Sequence, residues 1–159
     1  MAWSPANPHL TLCGRKWEHL YVLDCSNPHQ PETTKLAIQG GRFQNTCCFD
    51  TTGTWLASSG ISGTVFLWEL HGESTSEWRL VKELKNCSMS TVNHICWDPS
   101  ATYICTGDTR GRVAVHTRGS STSLEFASPF SLQSDDKDEV TAMACNPYVP
   151  HQPAEIAVG

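Results

Sequence analysis

A unit of about 48 residues recurs along this chain of 159 residues, and it constrains the fold more than any other feature. Each copy has a short apolar run that ends in an anchor residue: Trp3, Phe49, Trp97 or Cys145. Three of these four anchors precede a turn pair with proline, namely Ser4-Pro5, Asp98-Pro99 and Asn146-Pro147. A unit of this size cannot bury its own apolar face, so neighbouring copies must stack on one another. The sequence therefore predicts a repeat architecture.

The two complete copies, residues 45–70 and 92–117, share one order of elements. In each, three short runs rich in Val, Ile, Trp, Phe and Thr alternate with two turns, a pattern that indicates β-strands. Gly63 and Gly111 occupy equivalent places in the second turn, where a hairpin commonly requires a positive φ. A more polar fourth strand is predicted after each copy: Trp78–Leu84 and Leu124–Phe126. Four antiparallel strands per unit are typical of a propeller blade, so the predicted fold class is all-β.

Residues 55–70 resemble the signature of the WD-repeat family, with Trp68-Glu69 in place of Trp-Asp. The equivalent positions in the neighbouring copies hold Leu23-Asp24 and His116-Thr117. The Gly-His dipeptide of the family is absent, and Ser62 and Arg110 replace its turn aspartate. The resemblance implies WD-type blades, and these departures imply that the buried hydrogen-bond tetrad of typical blades is lost while the strand pattern is kept.

We expect about three and a half blades in this open, partial propeller: 1–40, 41–86, 87–130 and an incomplete 131–159. Residues 155–159 are predicted to form a second strand of the last unit. Propellers usually close with four to eight blades, so we expect a fragment of a longer propeller. The alternative is a short chain that assembles with copies of itself.

A narrower resemblance is to the centrosomal WD-repeat family that recruits the gamma-tubulin ring complex. Its most distinctive point is the third strand that ends in His116-Thr117, and it also draws on residues 45–47, 64–70, 105–107 and 120–123. The resemblance implies targeting of that complex for microtubule nucleation at the centrosome or spindle. The gamma-tubulin contact would then lie in a helical region outside this chain, and the location would be cytoplasmic, at the centrosome or cytoskeleton.

Composition narrows the partners and the compartment. The net charge of −5 does not favour binding to nucleic-acid phosphate. No apolar stretch reaches the roughly 18 residues of a membrane span, and the start lacks a signal-peptide core. The eight cysteines are interpreted as reduced thiols of a cytosolic protein. Five of them fall in strand runs, where free cysteine behaves as a small buried hydrophobe: Cys13, Cys47, Cys96, Cys105 and Cys145.

No catalytic, cofactor-binding or metal-binding residue is predicted. Cys47 and Cys48 are adjacent and point to opposite faces of a strand, while His94 and Cys96 share a face without a second ligand pair. No serine lies in a Gly-x-Ser-x-Gly turn, and Gly40-Gly41 is too isolated for a phosphate cradle. The lone His116 is expected to be a core imidazole.

Two groups of loop residues are open to more than one interpretation. The acidic run 135–139 is predicted to open on one rim of the disc, as a solvated loop or as a site for a cation or basic peptide. Trp17 and Trp78 are either exposed anchors for a protein partner or folded onto their own blade. Three histidines in proline-rich turns are predicted to be solvated: His9, His29 and His151.

The predicted function is a non-catalytic platform that binds other proteins, because propellers present rigid loops on a broad face. A substrate-receptor propeller of a ubiquitin ligase or another regulatory complex is the first alternative, and it requires a basic or aromatic pocket. An enzyme built on a propeller is the second, and it requires three or more His, Asp or Glu residues at the mouth of the central channel.

Overall fold

A computed structural model describes residues 1–13, 18–38, 43–71, 77–85, 89–119, 125–127, 129–133, 138–145 and 155–159. The described residues form three four-stranded antiparallel sheets and one strand pair, each connected in chain order. The first sheet contains β1 (Ala2–Trp3), β2 (His9–Leu12), β3 (His19–Asp24) and β4 (Glu32–Ala37). The second contains β5 (Gln44–Phe49), β6 (Trp55–Gly60), β7 (Thr64–Leu70) and β8 (Trp78–Lys85). The third contains β9 (Val92–Trp97), β10 (Tyr103–Asp108), β11 (Arg112–Thr117) and β12 (Phe130–Gln133), and the pair is β13 (Met143–Cys145) with β14 (Ile156–Val158).

The sheets stand side by side through their first strands. Strand β1 packs against β5, β5 against β9, and β9 against β13. The chain-order pairing within each sheet then carries the later strands outward. This is the radial arrangement of propeller blades, and the all-β propeller prediction is confirmed. The part of the chain that the structure describes contains no helix of the length and apolarity needed to cross a membrane.

Glycine and aspartate shape the turns of the second and third sheets. Gly63 and Gly111 have φ values of 66° and 69°, as predicted. In the turn after the first strand, the buried carboxylate of Asp50 accepts a hydrogen bond from the Trp55 backbone N–H at 2.9 Å. The Asp98 carboxylate holds the equivalent turn of the third sheet. Each carboxylate thus fixes the hairpin that leads outward from the inner strand.

The fourth strand of the third sheet was predicted wrongly. Leu124 lies outside the described residues, and Phe126 forms one isolated bridge with Arg118. The strand that pairs with β11 is Phe130–Gln133, in register with Arg112–Val115. The physical reason is that Phe126 pairs with Arg118, which lies beyond the end of β11 at Thr117. The pairing groups along β11 therefore remain open for the later segment.

The apolar core consists of two layers between neighbouring sheets. One face of β7 presents Phe66 and Trp68 to the first sheet, and the other face presents Val65 and Leu67 to the third. This alternation is the period of two that a strand requires. A polar contact also crosses the boundary between the first and second sheets, where Asn7 Nδ2 donates a hydrogen bond to the Gly53 carbonyl at 3.1 Å. The second sheet is therefore covered on both faces.

Candidate functional site

An open pocket of about 370 Å³ lies where the inner strands of three consecutive units begin. Its lining consists of Asn45, Asn93, His94, Glu139 and Thr141. Asn45 and Asn93 hold equivalent positions near the starts of β5 and β9, and Thr141 precedes β13. Because β5, β9 and β13 are neighbours, one pocket collects polar groups from three units.

The polar groups of this pocket differ in how well they are satisfied. The Asn93 side-chain amide donates a hydrogen bond to the Glu139 carboxylate. The side-chain nitrogen and oxygen of Asn45 are both buried and have no hydrogen-bond partner among the described residues. A buried amide without partners costs about 1–3 kcal/mol, which an incoming N–H and C=O recover. The pocket therefore has an unused donor and an unused acceptor beside a carboxylate.

The structure places one end of the predicted acidic run at this pocket. Glu139 is exposed and lines it, and Asp138 is exposed beside it. The remaining members, residues 135–137, lie outside the described residues. Among the described residues of the lining, His94 and Glu139 are the titratable groups. This chemistry suits the binding of a polar or cationic segment.

The prediction for His9 was wrong. Its side chain is fully buried in β2, with Nε2 3.9 Å from the Asp24 carboxylate and the ring edge-on to Trp78 at 6.0 Å. Burial lowers the pKa of His9, and the Asp24 charge opposes that shift. The physical reason is that the proline-containing turn ends at Pro8, so that His9 already pairs with Asp24 across β2 and β3. His29 is exposed as predicted, and His151 lies outside the described residues.

The remaining sequence candidates are core residues or undescribed. His116 is buried as predicted, and desolvation lowers its pKa to about 4. Trp78 is buried and packs against Phe49, with ring centroids 5.8 Å apart, so it is no partner anchor. Trp17 lies outside the described residues, as does Gly40-Gly41.

The departures from the WD-repeat signature were predicted to remove the buried hydrogen-bond tetrad of typical blades. Some buried hydrogen bonds are nevertheless present in the second and third sheets. In the second sheet the Trp68 indole N–H donates to the Ser58 hydroxyl at 3.1 Å, and both groups are buried. In the third sheet the Asp108 carboxylate accepts the backbone N–H groups of Arg110 and Arg112, at 2.8 and 3.0 Å. The two blades thus keep buried polar contacts of different kinds.

Sequence reasoning missed a cluster of three thiols. The Sγ atoms of Cys96, Cys105 and Cys145 all lie within 4.8 Å of one another. Cys96 and Cys105 face each other in the register of β9 and β10, and Cys145 comes from β13. Hydrogen bonds from the Cys105 and Cys96 thiols lower the pKa of Cys145 to about 4, whereas the pKa of Cys105 is raised to about 12. All seven cysteines of the described residues are free thiols.

Comparison with known proteins identifies the repeats. Residues 38–69 and 78–116 match the family described as WD domain, G-beta repeat. Over 90 residues the chain is 35% identical to the Ribosome biogenesis protein ERB1 of Mycosarcoma maydis. That match covers 54% of this chain and 10% of ERB1.

Solved propellers share the fold at lower identity. Sqt1 of Saccharomyces cerevisiae superimposes with a TM-score of 0.71 at 17% identity, covering 91% of this chain and 36% of that protein. Sqt1 of Chaetomium thermophilum, solved bound to the N-terminus of the ribosomal protein L10, gives a TM-score of 0.66 at 22% identity. The second match covers 90% of this chain and 38% of that protein. The chain thus spans little more than a third of the Sqt1 propellers.

Proposed function

We infer that this chain, which carries WD repeats in propeller blades, is a docking scaffold for an extended basic segment of another protein. A role in protein interaction follows from the WD repeats and their solved neighbours. The proposed docking site is the pocket at the starts of β5 and β9. The observation that carries the proposal is that the Asn45 amide, without a partner among the described residues, lines the same pocket as the Glu139 carboxylate.

Each group of the pocket has a task in this proposal. The Asn45 amide pairs with the backbone of the incoming segment, since it offers one donor and one acceptor. Glu139 pairs with a lysine or arginine, oriented by the hydrogen bond from Asn93. The net charge of −5 steers a basic segment toward the chain. A polar, acidic lining does not fit the basic or aromatic pocket expected of a ubiquitin-ligase receptor.

The named relatives support a particular class of partner. ERB1 is a ribosome biogenesis protein, and one Sqt1 structure holds the N-terminus of the ribosomal protein L10. We therefore favour a segment of a ribosomal protein or ribosome-assembly factor over the gamma-tubulin ring complex, which rests only on a sequence resemblance whose most distinctive point is His116-Thr117. Catalysis is not part of the proposal, and a cytoplasmic location stays a prediction.

A binding titration tests the proposal. The full chain is titrated with a labelled peptide of the L10 N-terminus, and with a peptide of the same composition in scrambled order. We expect Glu139→Gln and Asn45→Ala each to weaken binding about fivefold to tenfold, the effect of one hydrogen bond of about 1–1.4 kcal/mol. Glu32→Gln, which removes an exposed charge on β4, is the matched control and should leave affinity unchanged.

The results separate the site from the general charge effect. Equal losses from Glu139→Gln and Glu32→Gln would show that only net charge matters. Equal binding of the scrambled peptide would argue against a specific segment. Tight binding that neither pocket variant weakens would move the docking surface elsewhere and overturn the proposal.

A further inference from the structure

The three-thiol cluster joins two units of the propeller and has no role in the docking proposal. Cys96 and Cys105 belong to the third sheet, on the adjacent strands β9 and β10. Cys145 belongs to β13, which packs against β9. Cys105 is fully buried and Cys96 nearly so, while Cys145 is partly exposed. The cluster is therefore closed on the core side and open toward Cys145.

Its dimensions match those of a metal site built from sulfur. Thiolate sulfur lies about 2.3 Å from a metal such as Zn²⁺, which places two sulfurs of a tetrahedral site about 3.8 Å apart. The three Sγ atoms lie within 4.8 Å of one another, and Cys96 Sγ is 3.0 Å from Cys145 Sγ. The spacing of about 3.8 Å falls between the 3.0 Å of that pair and the 4.8 Å limit, so the cluster has the size of a site for one ion.

The donor set selects the kind of ion. Three sulfurs without an oxygen or imidazole partner suit soft ions, above all Cu⁺ and Zn²⁺, and disfavour Mg²⁺ and Ca²⁺. Among the described residues, the donor group comprises Cys96, Cys105 and Cys145 and no fourth ligand. Cu⁺ is satisfied by three thiolates, whereas Zn²⁺ would keep its fourth position for water.

We propose that Cys96, Cys105 and Cys145 bind one soft d¹⁰ metal ion, Cu⁺ or Zn²⁺, which joins the third sheet to the next unit. Binding forms three metal–sulfur bonds, and each thiol that is protonated releases its proton to solvent. No electrons are transferred. The ion ties β9 and β10 to β13 at a boundary that packing and the hydrogen bond from Asn93 to Glu139 also hold. Its expected effect is to stabilise the junction of the two units.

A metal titration of the reduced full chain tests this proposal. The protein is dialysed with a phosphine reductant against Zn²⁺ in one arm and Cu⁺ in the other, each buffered by a competing chelator. We expect mass spectrometry of the metal to find one ion per chain. The arm in which the chain binds its ion with higher affinity identifies the preferred metal. Cys145→Ser should weaken binding at least about tenfold, and Cys25→Ser, on a partly exposed cysteine outside the cluster, should leave it unchanged.

A second measurement does not depend on how the variants fold. The wild-type chain is alkylated with iodoacetamide with and without the ion, and the modified cysteines are mapped. Protection of Cys145, the partly exposed member of the cluster, with Cys25 still modified and a higher melting temperature, supports the site. No binding in either arm, or binding that Cys145→Ser leaves intact, overturns it. A disulfide between Cys96 and Cys145 in protein isolated without reductant, with no metal bound, assigns the cluster to thiol oxidation instead.

Discussion

The second and third sheets have the same strand order but very different surroundings. Every residue of β6 and the first five of β7 are buried, because neighbouring sheets cover both faces of the second sheet. All four residues of β12 in the third sheet are exposed, including the apolar Phe130 and Leu132. In a repeat protein each unit draws its stability from its neighbours. The middle strand β10 of the third sheet is buried except for Tyr103, so the contrast concerns the third and fourth strands of the two sheets, and one local pattern is compatible with both degrees of burial.

The sequences of the two sheets differ in their third strands, β7 and β11, where the burial also differs. Phe66 on β7 aligns with Ala114 on β11, and both are buried. Trp68 aligns with His116, so that a large apolar ring with one polar edge is replaced by an imidazole. The second sheet fills its two interfaces with volume. The third sheet uses smaller and titratable groups instead.

The largest expected effect comes from making the second sheet resemble the third at Phe66. Phe66→Ala removes a fully buried ring and leaves a cavity between the first two sheets. We expect the free energy of unfolding to fall by about 4 kcal/mol, measured by urea denaturation. Phe130→Ala on β12 is the control and should change it by less than about 0.5 kcal/mol. Similar losses for both would contradict the contrast between the sheets.

The next effect is a pH dependence of the free energy of unfolding that comes from the third sheet and has no counterpart at the equivalent Trp68 of the second sheet. Desolvation lowers the pKa of His116 to about 4, below its usual 6.5. The unfolded chain therefore takes up a proton below pH 6.5, and the folded chain does so only near pH 4. The contribution is fully present above pH 6.5 and is lost as the pH falls toward 4, by about 3 kcal/mol in total.

Denaturation at a series of pH values measures this loss. His116→Gln should reduce the slope of the free energy of unfolding against pH between pH 6.5 and 4. His29→Gln, at an exposed histidine, should leave that slope unchanged. The readout is the slope, so a lower overall stability of the His116 variant does not obscure it. An unchanged slope in His116→Gln would mean that the buried imidazole is not the group that titrates.

A smaller effect is expected from the buried hydrogen bond of the second sheet. Ser58→Ala leaves the Trp68 indole N–H without its acceptor, and we expect a loss of about 2 kcal/mol. In a Trp68→Phe background the same change should cost about 1 kcal/mol less, because no donor is left unpaired. Ser131→Ala, on exposed β12, is the control. Equal costs of Ser58→Ala in both backgrounds would show that the hydrogen bond contributes nothing.

What could be predicted from the sequence depended on whether the signal was local. The strands around Trp68 carried their own alternation and turn glycines, and they were found. His9 was misassigned because the neighbouring proline turn does not show that the next residue already belongs to a strand. The outer strand at Phe130 was misassigned because the apolar residues Leu124 and Phe126 do not show which segment pairs with β11. The thiol cluster could not be found by ligand spacing, because Cys96 and Cys145 lie 49 positions apart.

The pocket at the starts of β5 and β9, which we propose as the docking site, could be predicted from the sequence only in part. Glu139 was noted as one end of an acidic run, and the repeat places Asn45 and Asn93 at equivalent positions. What the sequence could not give is that β5, β9 and β13 bring these residues to one opening. It also could not show that the Asn45 amide stays unpaired while Asn93 reaches Glu139, since that depends on side-chain geometry.

The smallest effects contrast the equivalent turns at Gly53 and Ala101. Gly53 has a φ of 69°, and an added Cβ would overlap the Ser4 hydroxyl and lie 2.9 Å from Asn7 Nδ2, so Gly53→Ala should lower the free energy of unfolding by about 1 kcal/mol. Ala101 already has a φ of 54°. Ala101→Gly relieves that strain but gives the unfolded chain more freedom, and these terms cancel to within about 0.5 kcal/mol. Urea denaturation of both variants checks the contrast. Equal changes in the free energy of unfolding would mean that the contact of Gly53 with the first sheet has no effect, and that backbone strain alone determines which residue this turn accepts.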